Sequence, residues 1–456
     1  MLGKVVLLRL GPLRRKWGGQ GMALAMTYLA YSVATAARLP YSIAKSSLRG
    51  PGGWSPFKDS RGEVLLGALD TTFMFAYAGG MPFMGALADR THQPTLLAFG
   101  LVVIAATLIL IGLSRTWEIH TYAYFLILTF VGGWAQSICY PCTIGVISKW
   151  FGKSNIGLIL GVWSSCTPVG TIVGKLLGAA VLSSGWQFAF ITLGVVTCIA
   201  SAFVLVLLVA DPLEVELPRP GATAEGPERI REHEEPVPLS VIMRIPGMIP
   251  YCTACFFSKL SYYAFVFWLP FYLSRALHFG DAQAGEASTF FDWGGFVGGI
   301  VGGVLMDTLK MRGPVLLCFQ GLAPPMLLLY MALGRAGMLT ATTNAVLLFA
   351  LGCCVTTPYS LITSVMSSDL GRHPCLNGNS RAAAAATGVL DGIGSFGAVL
   401  QGLVIGWLSD TFGWNTVFAL LSIFGLFSAA ALISPTRKEL AAREVAPGSL
   451  LHADCQ

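Results

Sequence analysis

Arg38 and Lys259 are cations set inside apolar segments, and they stand at nearly equivalent positions in two sequence halves that repeat one another. A charge within a bilayer-spanning segment is costly, so it is kept where it meets a partner charge or lines a water-filled path. Two such cations suggest a site for an anion. An arginine offers a planar fork to two anionic oxygens, and a lysine adds a compact, mobile point charge. Arg38, just before Pro40, could instead snorkel toward the non-cytosolic interface. Tyr31 lies seven residues before Arg38, two helical turns away on one face, and Tyr77 sits in the middle of the second apolar segment. Phenols there could bind anionic oxygens or hydroxyls, or could simply pack. Tyr262 follows Lys259 by three residues and shares its helix face. Asp70 and Asp391 are carboxylates in apolar stretches, where an unpaired charge would be costly. They are read as proton acceptors or as counter-ions of Arg38 and Lys259, with the counter-ion or gating role preferred. Lys175 either adds to the positive site or pairs with an acidic neighbour.

The elements that carry these residues follow from composition. Hydrophobic residues make up 54% of the 456, charged residues only 11%, and mean hydropathy is +0.68. A soluble domain carries about 25% charged residues, so this is a polytopic membrane protein. A span needs roughly 20 mostly apolar residues. Twelve such segments are expected, near 21–44, 64–88, 94–114, 119–148, 155–182, 187–210, 246–274, 285–306, 314–334, 341–366, 382–409 and 415–434. The fold class is therefore all-α, with twelve transmembrane helices in two six-helix, pseudo-symmetric halves. Residues 1–20 form a basic N-terminus, 21–210 the first half, 211–245 a linker rich in Pro, Glu and Arg, 246–434 the second half, and 435–456 a tail.

The halves align on each other. Gly85-Ala-Leu-Ala-Asp89-Arg90 matches Gly303-Val-Leu-Met-Asp307, Pro141 matches Pro358, and Gly185-Trp186 matches Gly413-Trp414. Parallel six-span repeats of this kind mark transporters whose site lies between the halves near the midplane. Basic residues such as Arg14, Arg15, Lys16, Lys149, Lys153, Lys310, Arg312, Arg437 and Lys438 collect on one side. Only Lys45, Arg49, Lys58, Arg61, Arg115, Arg275 and Arg335 fall in the opposite loops. Both termini are thus expected in the cytosol. The net charge of +6 reflects topology, with no nucleic-acid partner expected. The bilayer is the surroundings, and any partner subunit stays open. Ten of eleven cysteines lie in or beside spans, where packing explains them better than metal binding. No catalytic residue, metal or cofactor is expected. The run Gly294–Gly303 has small residues at four-residue spacing, which suits helix packing and lacks the Gly-Lys-Ser/Thr ending of a phosphate loop.

The repeat and the Gly-x-x-x-Asp-Arg loop resemble the major facilitator superfamily over essentially the whole chain. Further runs resemble the solute-carrier sugar-phosphate exchangers, relatives of the bacterial organophosphate antiporters. They are Leu66-Gly-Ala-Leu-Asp70, Trp150-Phe-Gly-Lys153, Ile245-Pro-Gly247, Phe267-Trp-Leu-Pro-Phe-Tyr272, Asp292-Trp-Gly-Gly295, Ser368-Asp-Leu-Gly-Arg372 and Asp391-Gly-Ile-Gly-Ser395. The resemblance implies exchange of a sugar phosphate or other organic phosphate for inorganic phosphate. It implies Arg38 as a phosphate-binding cation and Asp89 and Arg90, with Asp307 at the repeat position, as gate residues; the bacterial relatives carry their seventh-helix cation about one turn past Lys259, where this chain has Tyr262. It also implies an endoplasmic-reticulum or other endomembrane location.

Departures from the pattern stand beside these matches. Leu39 stands where most members have a second basic residue, Cys166 where several have a histidine, and Met81 where the bacterial antiporters have a lysine. These leave a less positive site. Carriage of another organic anion, proton coupling through Asp70 or Asp391, or a non-transporting sensor role therefore remain alternatives.

Overall fold

The computed structural model describes residues 19–50, 53–151, 159, 162–218, 239–370 and 380–444. Among these, regular structure is helical. The helices are α1 (Gln20–Ala36), α2 (Pro40–Arg49), α3 (Gly62–Arg90), α4 (Gln93–Leu113), α5 (Tyr122–Gln136), α6 (Cys139–Trp150), α7 (Cys166–Leu182), α8 (Trp186–Leu207), α9 (Leu239–Met243), α10 (Met248–Arg275), α11 (Asp281–Leu309), α12 (Gly313–Arg335), α13 (Ala341–Leu361), α14 (Ser367–Leu370), α15 (Ser380–Phe412) and α16 (Trp414–Glu444).

Ten helical spans among the described residues are long and apolar enough to cross a membrane, the pair α5 and α6 counting as one. The first expected span is instead divided into α1 and α2. Pro40 opens α2 and has no N–H to donate to the Ala36 carbonyl, so the helical ladder is interrupted at Ala37, Arg38 and Leu39 although Leu39 itself keeps a right-handed backbone (φ −93°, ψ −14°). The fifth is represented by α7, the residues before it lying largely outside the described ones. The expected linker is described only at its ends, and Lys153, Arg372 and the basic N-terminus are also outside the described residues.

Three boundaries differ from expectation. Lys45 lies within α2 and is fully buried rather than in a loop. Helix α16 runs on to Glu444, ten residues past the expected end of the last span. The chain forms two compact units, but their boundary is not the linker alone: Phe267–Thr289 joins Met1–Gly226, while Pro227–Val266 and Phe290–Gln456 form the second unit. Side-chain bonds explain the first unit's composition. Ser47 donates to Asp281 at 2.6 Å, and Lys45 donates to the Phe267 carbonyl at 2.9 Å.

Within each unit the packing repeats. In the first, α4 lies along α8; in the second, α12 lies along α16. Glycines permit the closest crossings: a Cβ on Gly352 would run into the backbone carbonyl of Phe291, and one on Gly294 into that of Phe349. Helices α11 and α13 thus meet backbone to backbone, as small residues allow in membranes. Large apolar side chains such as Phe99 and Phe396 are exposed and suit a lipid surrounding.

Candidate functional site

The first unit builds its polar centre around the break between α1 and α2. Helix α1 ends at Ala36 because Pro40 restarts the chain, so Arg38 is held at the joint by tight bonds from its N–H to Thr35 O and from Leu39 N–H to Ala36 O. Irregular backbone at membrane depth is tolerated where protein or a water-filled cavity surrounds it. Arg38 is 9% exposed. Its guanidinium lies over the ring of Tyr77, 4.6 Å from the centroid, a cation–π contact that favours the charged group away from bulk water. The Tyr77 and Tyr31 hydroxyls are hydrogen-bonded, and the Tyr31 ring packs on Trp163 at 5.1 Å and on Tyr140 at 5.7 Å. Cys166, at the start of α7, is fully buried. A small cavity beside Arg38 is also lined by Tyr41, Asp70, Thr129 and Gln136. The structure thus brings Arg38, Tyr31 and Tyr77 into one connected group.

Asp70 pairs with Lys45 at 2.5 Å, so the counter-ion expected for Arg38 serves another cation. Lys45 Nζ also sits 3.9 Å from the centroid of the Trp268 ring. Both members of this pair are buried, Lys45 completely. Burying two ions costs several kcal/mol each and is offset only by close geometry with further bonds, here the Phe267 carbonyl and the indole face. Sequence reading missed Lys45, which stands one residue past the expected end of the first span at 44. Lys175 is likewise fully buried, with its ammonium 3.5 Å from the Ser288 carbonyl.

In the second unit Lys259 Nζ contacts Asp391 Oδ1 at 2.6 Å, with Ser395 Oγ at 3.4 Å. Gly394 shapes this pair: a Cβ there would lie 2.9 Å from Lys259 Cδ, so the bare face of α15 is where the lysine stem rests. The Asp391 side chain is 39% exposed, while Lys259 is buried. Tyr262 packs on Tyr359, the rings tilted by 32° with centroids 4.5 Å apart. Tyr359 follows Pro358, inside α13, and Tyr140 precedes Pro141, in the first turn of α6, so each unit places a tyrosine beside a proline against a tyrosine from its cation-bearing segment. Helix α13 loosens after Pro358 into a π turn, Ile362–Met366, of the kind that marks functional bends.

The expected gate residues lie near helix ends. Arg90 is exposed at the end of α3, the Asp89 side chain lies outside the described residues, and Asp307 is exposed near the end of α11. The structure instead pairs Arg312 with Asp369. Glu439, on the unexpected extension of α16, accepts from the Arg312 and Gly313 amides at 2.8 and 2.6 Å. A carboxylate on the first turn of α12 satisfies amides that the helix leaves open and complements its dipole. Asp369 lies in the Ser368-Asp-Leu-Gly-Arg372 run that carries the family resemblance.

Residues 17–374 match the model of the Major Facilitator Superfamily. A protein of Arabidopsis thaliana named for glycerol-3-phosphate transport is 35% identical, with 92% of each chain covered. The chain belongs to the major facilitator superfamily. It lies in that superfamily's organophosphate:phosphate antiporter branch, since a Mus musculus glucose-6-phosphate exchanger is also 33% identical over 94% of each chain. The superfamily fold recurs in a bacterial homologue of the human lysosomal transporter Spinster, solved inward-facing and unoccupied. The TM-score is 0.72 at 14% identity, covering 92% of this chain and 98% of that one. This superfamily member is a multi-pass membrane transporter.

Proposed function

We propose that the protein is a secondary carrier that exchanges a sugar phosphate or similar organic phosphate for inorganic phosphate by alternating access. The observation that carries this reading is Arg38, a buried guanidinium at a helix break lying over the Tyr77 ring, whose hydroxyl is bonded to that of Tyr31. A phosphate monoester carries about −1.5 to −2 charge near pH 7 and three acceptor oxygens. Two of them fit the arginine fork, and the phenols can donate to a third. Dehydrating such a site is costly unless an anion accompanies the cation, so closure depends on bound substrate. That dependence is a physical basis for exchange rather than net transport.

The second cation works differently. Lys259 is held by Asp391, so an empty site carries no repulsive charge there. A phosphate dianion at Lys259 competes with the partly exposed carboxylate, and displacement of Asp391 signals occupancy within the second unit. We assign Asp70 to the fixed structure around Lys45. Both termini in the cytosol and an endomembrane location belong to this proposal.

A second reading, carriage of another organic anion or proton-coupled transport, draws on Leu39, Cys166 and Met81, which leave the site with fewer cations. A non-transporting sensor is the third. Proteoliposomes preloaded with phosphate, glucose 6-phosphate, glycerol 3-phosphate or nothing separate the three. Exchange predicts phosphate uptake only into preloaded vesicles, reduced at least 100-fold by Arg38→Ala. Uptake into empty vesicles under a pH gradient supports proton coupling, and no uptake under any load supports another anion or a sensor.

A further inference from the structure

We propose that Trp163 and Tyr140 hold the carbon skeleton of the phosphorylated substrate, so that the carrier selects a sugar ring over a three-carbon phosphate. This inference rests on the exchange reading above and adds which part of the substrate the first unit recognises.

Three rings are contiguous. Tyr31 lies 5.1 Å from Trp163 and 5.7 Å from Tyr140, and those two are 6.2 Å apart. The group continues through the Tyr31–Tyr77 hydroxyl contact to the guanidinium of Arg38. The aromatic group therefore reaches Arg38 through Tyr77. Tyr140 is 40% exposed, so its ring is only partly covered by the cluster.

The second, independent observation is the indole N–H. Trp163 is 3% exposed, and its Nε1 is buried with no hydrogen-bond partner. A buried donor left without an acceptor costs about 1–3 kcal/mol. Phenylalanine would pack against Tyr31 without that cost. The donor is accounted for if an acceptor arrives with the substrate.

A pyranose supplies both halves of this chemistry. Its C–H face carries weakly positive hydrogens that suit the negative face of an aromatic ring. Its hydroxyl edge accepts from the indole N–H. Inorganic phosphate has neither feature, and a glycerol skeleton has hydroxyls without a ring face. The cluster thus discriminates among organic phosphates while Arg38 serves the phosphate common to all of them.

The test is competition against phosphate self-exchange in proteoliposomes, with glucose 6-phosphate, its 2-deoxy and 3-deoxy analogues, and glycerol 3-phosphate as inhibitors. In the unmodified protein, glucose 6-phosphate should inhibit at a concentration at least tenfold below glycerol 3-phosphate. At least one deoxy analogue should be about tenfold weaker than its parent. Trp163→Phe, which keeps the ring and removes the N–H, should abolish the difference between parent and deoxy analogue. Tyr140→Leu should lower the glycerol-to-glucose ratio about tenfold.

Equal inhibition by ring and three-carbon phosphates in the unmodified protein overturns the proposal without needing any variant to fold. A deoxy discrimination that persists in Trp163→Phe overturns it as well. Absence of phosphate self-exchange altogether overturns the parent reading, and this inference with it.

Discussion

Arg38 and Lys259 are both buried, but their charges are balanced by unlike means. Arg38 rests on an aromatic face, whereas Lys259 is clasped by a carboxylate that still touches solvent. This asymmetry assigns different consequences to substitutions at the two sites. Asp391→Asn removes the competitor of an incoming anion, so half-saturation for phosphate should fall severalfold in exchange assays while turnover slows, because release must break a stronger bond. Lys259→Ala leaves the carboxylate without its cation and should weaken phosphate binding instead. Equal effects of the two substitutions on half-saturation would mean that the pair is purely structural. The sequence exposed both cations, since a charge in an apolar run is conspicuous. It favours a counter-ion or gating role for Asp70 and Asp391 without fixing which cation each meets, because pairing depends on which helices adjoin.

Helix α10 spans the division between the two compact units, changing membership between Val266 and Phe267. Pro270 lies one turn beyond, and having no N–H it cannot bond the Val266 carbonyl, which makes that turn a soft point. The Lys45–Asp70 pair fastens the far side of that point through the Phe267 carbonyl. Breaking a fully buried pair by removing one partner costs roughly 3–5 kcal/mol, whereas replacing both by apolar groups of similar volume is often neutral. Lys45→Ala and Asp70→Ala should therefore each lower thermal stability in detergent sharply, and Lys45→Met with Asp70→Leu should restore most of it. If the double variant is stable yet exchanges at an altered rate with unaltered half-saturation, the pair governs motion of the 267–289 segment. A double variant as unstable as either single one would assign Lys45 and Asp70 separate roles.

At the scale of the molecule, the six-helix repeat recurs in the packing of α4 on α8 and of α12 on α16. The clustering of Arg and Lys on one side sets the expected orientation. Epitope tags at both ends should be reached by antibody once the plasma membrane alone is permeabilised, with the internal membranes intact. A tag reached only after full permeabilisation would invert the topology, and one reached on intact cells would also move the protein out of the endomembranes.

Sequence alone determined the helical membrane class, most span positions, the duplication and the cations on the first and seventh expected spans. Those properties follow from apolar run length, from residue periodicity and from the cost of charge in lipid, all of which are local or additive along the chain. Tertiary structure decided what each charge meets. It gave Asp70 to Lys45 and Asp391 to Lys259, joined Phe267–Thr289 to the first unit, brought Glu439 to the open amides of α12, and gathered Trp163, Tyr31 and Tyr140 into one cluster. The physical reason is range: a buried ion or indole is stabilised by groups within a few ångströms, and in a helical membrane protein those groups come from segments tens to hundreds of residues away in the chain.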